Sequence, residues 1–208
     1  MAKSRFLLQS RPRSSPLPAA FFARDTVHVA RDLLGTVLVH DSLEGRTAGR
    51  IVETEAYLRD DPACHASRGL TLRNAPMFGL PGRSYIYLIY GMYRCFNVVT
   101  APKGVGEAVL IRALEPLEGL DLMAHRRGTD LVRNLCSGPG KLVMALGLDP
   151  THNDRGLRSG PVRLVSPDSY PWPGGPGPVK VTTRVGISCA VDWPLRFYFE
   201  GNPFISRK

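Results

Sequence analysis

Between Gly49 and Tyr57 the chain reads Gly-Arg-Ile-Val-Glu-Thr-Glu-Ala-Tyr, a β-branched run with two glutamates two residues apart. At strand period two, Ile51, Glu53, Glu55 and Tyr57 project from one face, and Val52, Thr54 and Ala56 project from the other. Two carboxylates and a phenol then share a face, with the glutamate Cα atoms about 7 Å apart. At an effective dielectric of about 20, charges at that distance repel by about 2.4 kcal/mol. Two readings accommodate the repulsion: an exposed edge strand with solvated glutamates, or a site that keeps one carboxylate ready as a general base.

A length of 208 residues suits one domain with a sizeable core. The 21 glycines and 18 prolines imply many turns, short strands and few long helices. Lysine plus arginine exceeds aspartate plus glutamate by 27 to 18, for a formal net charge of +9. That balance makes nucleic acid a serious candidate partner. Cys64, Cys95, Cys136 and Cys189 are too widely spaced for a C-x-x-C pair or a disulfide-rich small domain, which favours a reducing compartment. There is no apolar run long enough to span a membrane. Residues 1–15 read as a flexible basic arm and 16–208 as a single domain. Phe6-Leu7-Leu8 is too short for a secretory core, although the Arg- and Ser-rich, acid-free start also fits an organellar transit peptide.

Along the chain, Asp25 is a candidate N-cap for a helix through Val27, Val29, Ala30, Leu33 and Leu34, ended by Gly35. Thr36–His40 reads as a strand joined by the 41–46 turn to the glutamate strand. Residues 58–83 lose periodicity and form a long structured loop carrying His65. A lone histidine beside Cys64 is a poor metal site, leaving a loop histidine or a binding-site histidine. Tyr85–Val99 reads as a β-hairpin with its tip at Tyr90-Gly91-Met92-Tyr93. Tips normally carry Asn, Asp, Gly or Ser, so an apolar tip either folds back on the core or serves as a wedge between base pairs. Val109–Arg112 reads as a strand ending on a cation that needs an acidic partner if buried, and Pro116 as the start of a helix through Leu117, Leu120, Met123 and Ala124. Ser137-Gly138-Pro139-Gly140-Lys141 opens a helix through Leu148. Ser137, Gly138 and Lys141 could contact a phosphate there, although the Walker A pattern is unmet and a plain helix start remains the alternative. After Asp149 the chain reads as mostly turns, with strands at 181–185 and 195–199, the last having Arg196 and Tyr198 opposite its apolar face.

R-I-V-E-T-E-A-Y, the His65 loop, Y-I-Y-L-I-Y-G-M-Y with Asn97, L-I-R-A-L-E-P-L-E-G and L-C-S-G-P-G-K-L together resemble the alkyladenine (3-methyladenine) DNA glycosylase family, in the same order from Leu17 to Phe204. The resemblance favours the functional reading at each of these places. It implies an α/β fold of the α+β type: one compact domain around a curved antiparallel sheet with flanking helices and a protruding hairpin. By the same resemblance Glu55 is the general base, and Arg112 and the Val185 carbonyl help to hold the attacking water. Tyr57 lies on one side of the extruded base and His65 with Tyr87 on the other. Asn97 crowds the exocyclic amine of guanine, Tyr90 intercalates where the nucleotide has left, and Met92 stands beside it. No metal or other cofactor is implied. The expected partner is double-stranded DNA containing damaged purines, met by a monomer without a membrane. The compartment would be the bacterial cytoplasm, associated with the nucleoid, or the eukaryotic nucleus. Cys64 beside His65, the Pro62-Ala63 approach and a Pro/Gly loop after Ser166 are departures from the family pattern that bear on substrate breadth.

A base inside a duplex is out of reach, so such an enzyme must flip the nucleotide at a cost of a few kcal/mol, least for damaged or mismatched pairs. Stacking on aromatic rings, worth roughly 1–3 kcal/mol per contact, favours electron-poor alkylated purines. Glu55 would then activate water at C1′ as the base does in an inverting glycosidase. Arg112 would offset Glu53. The expected activity is a monofunctional N-glycosyl hydrolase for alkylated adenine or guanine, with hypoxanthine and ethenoadenine as further candidates. The rival readings are a non-catalytic damaged-DNA-binding module, which leaves the paired glutamates unexplained, and a carboxylate-pair carbohydrate hydrolase, which leaves the Tyr-Met tip without a role.

Overall fold

The glutamate strand lies inside a curled antiparallel sheet of eight strands, which the computed structural model describes within residues 15–207. β1 (Val37–Ser42), β2 (Gly45–Tyr57), β3 (Ser84–Ile89), β4 (Tyr93–Val99), β5 (Ala108–Glu118) and β6 (Val162–Val165) run in the order β3-β4-β5-β2-β1-β6. β7 (Val179–Thr182) pairs with β8 (Arg196–Phe199), and β8 pairs with β2 at Glu53, Thr54 and Glu55. β2 therefore has β5 on one side and β1, then β8, on the other. This position overturns the exposed-edge reading: Glu53 and Glu55 are both fully buried. The expected basic arm lies outside the described residues apart from Ser15.

The expected alternation holds from Glu53 onward. The register between β2 and β5 slips so that Ile51 faces Leu114, Glu53 faces Ala113 and Thr54 faces Ile111, leaving Val52 and Arg112 without a ladder partner. Bulges of this kind bend a strand and redirect side chains. Ile51 and Val52 both turn into the main core, so the polar face begins at Glu53 rather than at Ile51. On the opposite face Thr54 donates to the Ala30 carbonyl at 2.8 Å, and Val52 and Ala56 join Val29, Ala30 and Leu33 in the core. Phe22, Phe96 and Phe197 are buried in that same cluster, each worth about 1.5–3 kcal/mol of transfer free energy.

Among the described residues, five α-helices flank the sheet: α1 (Ala19–Phe22), α2 (Thr26–Asp32), α3 (Leu120–Arg127), α4 (Val132–Leu135) and α5 (Pro139–Leu146). Asp25 caps α2 as expected, its carboxylate accepting from the His28 N–H at 3.0 Å. The helix expected from Pro116 instead begins at Leu120, because β5 continues through Pro116 to Glu118. β4 pairs only with Ala108, Val109 and Leu110, so Pro116 lies beyond the stretch where β5 has a neighbour on that side, and strands tolerate proline there. Gly119 makes the break: its φ is +76°, and a Cβ there would lie 2.2 Å from the Arg46 carbonyl oxygen. Arg112 consequently lies within a strand rather than at its end. β6, whose Val162 and Leu164 alternate inward, falls where only turns were expected, and β7 stops at Thr182, leaving Val185 in the following loop.

Candidate active site

A cavity of about 520 Å³ opens between the β3–β4 hairpin, the 62–68 loop, the start of α5 and the 185–189 segment. Of the residues singled out from the sequence, Tyr57, His65, Tyr87, Tyr90, Asn97, Arg112 and Val185 all line it. Glu55 stands directly behind this lining. Its Oε2 accepts from the Tyr57 hydroxyl at 2.8 Å, and its Oε1 accepts from the Val185 N–H at 2.8 Å and lies 3.1 Å from Arg112 Nη1. Three donors, Tyr57, Val185 and Arg112, thus meet one carboxylate.

Arg112 is shared. Its Nε donates to Glu53 Oε1 at 3.0 Å while Nη1 reaches Glu55 and, at 3.4 Å, the Val185 carbonyl. Burial works against the Arg112 charge, but the adjacent Glu55 and Glu53 outweigh it and raise its pKa. Glu53 also accepts from Arg196 Nε at 2.7 Å, from the Ser206 N–H at 2.5 Å and from the Ser206 hydroxyl at 2.9 Å. Two carboxylates and two guanidiniums thus alternate as Glu55, Arg112, Glu53 and Arg196, all buried. This compensates the repulsion between glutamates that the sequence implied. Arg196 stands opposite the apolar face of Leu195, Phe197 and Phe199, as expected, but its partner there, the buried Glu53, and the contribution of Ser206 were not foreseen.

The walls are largely aromatic, with Arg68 and Arg112 the charged side chains among the lining residues. The His65 and Tyr87 rings meet edge to face with centroids 4.4 Å apart, and His65 Nδ1 lies 3.0 Å from the Tyr85 hydroxyl. Burial, aided by the Arg73 charge, lowers the His65 pKa and favours the neutral ring. Burial foremost, then the Glu55 charge, raises the Tyr57 phenol; burial likewise raises Tyr87 and pushes Tyr85 up to about 12. Asn97 is fixed across the hairpin by donating from Nδ2 to the Tyr85 carbonyl at 3.0 Å.

The hairpin tip does not fold back on the core. Tyr90 is 79% and Met92 66% exposed. Tyr90 holds φ at +52°, a left-handed conformation that costs a non-glycine residue about 1–2 kcal/mol and often marks a functional position. Tyr93 packs on the start of α5, where a Cβ at Gly140 would come within 3.2 Å of its ring. Gly138 caps α5 and Lys141 Nζ lies 3.4 Å from the Ser137 hydroxyl, so the three phosphate-contact candidates cluster beside the cavity mouth, at which Pro139 and Gly140 stand. No cluster of metal-ligating side chains is found among the described residues, and no helix there is long and apolar enough to cross a membrane.

Comparison with known proteins gives the family of the chain. A family model described as Methylpurine-DNA glycosylase (MPG) matches residues 20–203. A protein of Methanoculleus marisnigri named "Putative 3-methyladenine DNA glycosylase" is 57% identical over 92% of this chain and 99% of its own length. Proteins with the same name from Carboxydothermus hydrogenoformans and Rhizobium etli are 47% and 50% identical, over 92% and 90% of this chain and 99% and 87% of their own lengths. With a match that spans both the carboxylate cluster and the hairpin, and relatives alike over nearly their whole length, the chain belongs to the methylpurine-DNA glycosylase family.

Proposed function

We propose that this protein flips damaged purines out of duplex DNA and hydrolyses the N-glycosidic bond, leaving an abasic site. The observation that carries the reading is the buried Glu55 carboxylate behind an aromatic cavity whose mouth lies beside an exposed wedge, Tyr90. In this reading the extruded base stacks between Tyr57 and the His65–Tyr87 pair. A water held between Glu55 and the Val185 carbonyl gives a proton to Glu55 as its oxygen attacks C1′. A cationic alkylpurine leaves as a neutral molecule, so its departure requires no proton. The aromatic walls and the lowered His65 pKa suit such a base, because a ring face attracts a cation that a charged histidine would repel, and Glu53 and Glu55 offset the Arg112 charge. Ser137, Gly138 and Lys141 would receive a DNA phosphate. The protein would act as a monomer. The test is a set of duplexes each carrying one lesion, alkylated adenine, alkylated guanine, hypoxanthine or ethenoadenine, scored for alkali-labile abasic sites. Tight lesion binding without abasic sites would leave a damage-binding module.

Two variants probe the parts. Tyr90→Gly should remove both the wedge and the left-handed strain, so its Tm should match or exceed that of the wild type. Its single-turnover excision should fall more for a lesion in a stable pair than for the same lesion in a mismatch, since a mismatched base needs less help to leave. Equal losses in both contexts would mean a packing role for Tyr90. Asn97→Ala should open room for the N2 amine of guanine and raise excision of poor guanine substrates roughly tenfold to a hundredfold, the scale of one group in a pocket. Adenine-type excision should stay near wild type. Unchanged guanine excision with collapsed adenine excision would make Asn97 a brace for Tyr85.

A further inference from the structure

The mechanism leaves one buried ion pair unused. Arg184 and Asp61, 123 positions apart in sequence, both have fully buried side chains and form a two-pronged pair in which Arg184 Nη2 donates to Asp61 Oδ1 at 2.9 Å and Nη1 donates to Oδ2. Nη1 also donates to the Ala56 carbonyl at 3.1 Å. Arg184 Nε, by contrast, has no hydrogen-bond partner among the described residues. The guanidinium carbon sits 4.7 Å from the centroid of the Tyr57 ring. Tyr57 lines the cavity and Arg184 does not, so the guanidinium lies behind the ring as seen from the cavity. Asp61 Oδ1 also accepts from the Ala63 N–H at 2.9 Å, tying the pair to the turn that leads to His65.

Resting on the functional reading above, we infer that Arg184 and Asp61 together set the protein's preference between cationic and neutral lesion bases. A positive charge behind Tyr57 already engages the ring's quadrupole, so a cationic base on the cavity face gains less from that ring than it would from an isolated phenol. It also meets a like charge across the thickness of the ring. A neutral lesion base bears neither penalty. Asp61 weakens the field without cancelling it, because the guanidinium, and not the carboxylate, is the group over the ring. Arg184 is therefore a specificity-determining residue. It also precedes Val185, so a purely structural role would affect every lesion alike through the Val185 and Glu55 contacts.

The two members of the pair should act in opposite directions. Arg184→Gln keeps an amide able to donate to Asp61 and removes the cation; the ratio of single-turnover excision of a cationic lesion, 7-methylguanine, to that of a neutral one, hypoxanthine, should rise about threefold. Asp61→Asn keeps an acceptor for Ala63 and leaves the Arg184 charge uncompensated; the same ratio should fall by about threefold. Arg184→Lys, which retains the charge, should leave the ratio near wild type even if both rates decline. Opposite shifts in the first two variants establish the inference, and either one alone fixes the direction if the other does not fold. Rates that drop together with the ratio within about twofold of wild type, or shifts of the wrong sign, overturn it. A wild-type protein that excises neither lesion would instead refute the functional reading itself.

Discussion

Glu55→Gln is expected to lower single-turnover excision by about 10²–10⁴-fold, the usual contribution of a positioned general base. The amide preserves the shape of the carboxylate and can still accept from Tyr57 or the Val185 N–H, so binding to a lesion duplex should stay within about tenfold of wild type. Glu53→Gln serves as the control. Glu53 meets Arg112, Arg196 and Ser206, whereas Glu55 bonds the cavity-lining Tyr57 and Val185, so the loss of Glu53 should act through the placement of Arg112 and cost less. A Glu55→Gln variant retaining more than a tenth of the rate, beside a Glu53→Gln variant that had lost it, would exchange the roles of the two carboxylates.

The second large effect is on stability. Arg112 lies between two fully buried carboxylates and bonds to both. Arg112→Met would leave Glu53 with Arg196 and Ser206, and Glu55 with only the Tyr57 hydroxyl and the Val185 N–H. Removing one partner from a buried ion pair costs about 3–5 kcal/mol. For a domain of this size that corresponds to a drop in Tm of very roughly 6–20 °C. Adding Glu53→Gln to the variant should recover part of the loss, since one of the stranded charges disappears with it, and a double-mutant cycle reads the coupling. A change in Tm below about 2 °C for the single variant would show that the cluster is solvated in solution and contributes little.

Much of the site was legible because its residues are local and their chemistry is unusual for their setting. Period two placed Glu55 and Tyr57 on one face, and the structure joins them by a hydrogen bond of 2.8 Å. A tyrosine and a methionine at a hairpin tip broke the usual chemistry of turns, and they are indeed exposed. The illegible parts depend on tertiary contacts. The slip at Val52 and Arg112 comes from how β2 meets β5, which neither strand reveals alone. Arg196 and Ser206 reach Glu53 across more than 140 positions, and Asp61 finds Arg184 across 123. The L-R-F-Y-F alternation set Arg196 opposite the apolar face, but that this face is itself buried, and that a carboxylate waits there, depends on β2 packing beside β8. Pro116 misled for a similar reason: proline suits both a helix start and an unpaired strand edge, and the choice depended on how far β4 reaches.

The most direct measurement is to incubate the wild-type protein with a duplex carrying one 3-methyladenine, alongside the same duplex undamaged, and to analyse the released small molecules and the DNA strand together. The account predicts free 3-methyladenine from the damaged duplex only, in a strand that stays intact until heated in alkali and then breaks at the lesion. A lesion that is bound but never released, or a strand cut without release of the base, would contradict it.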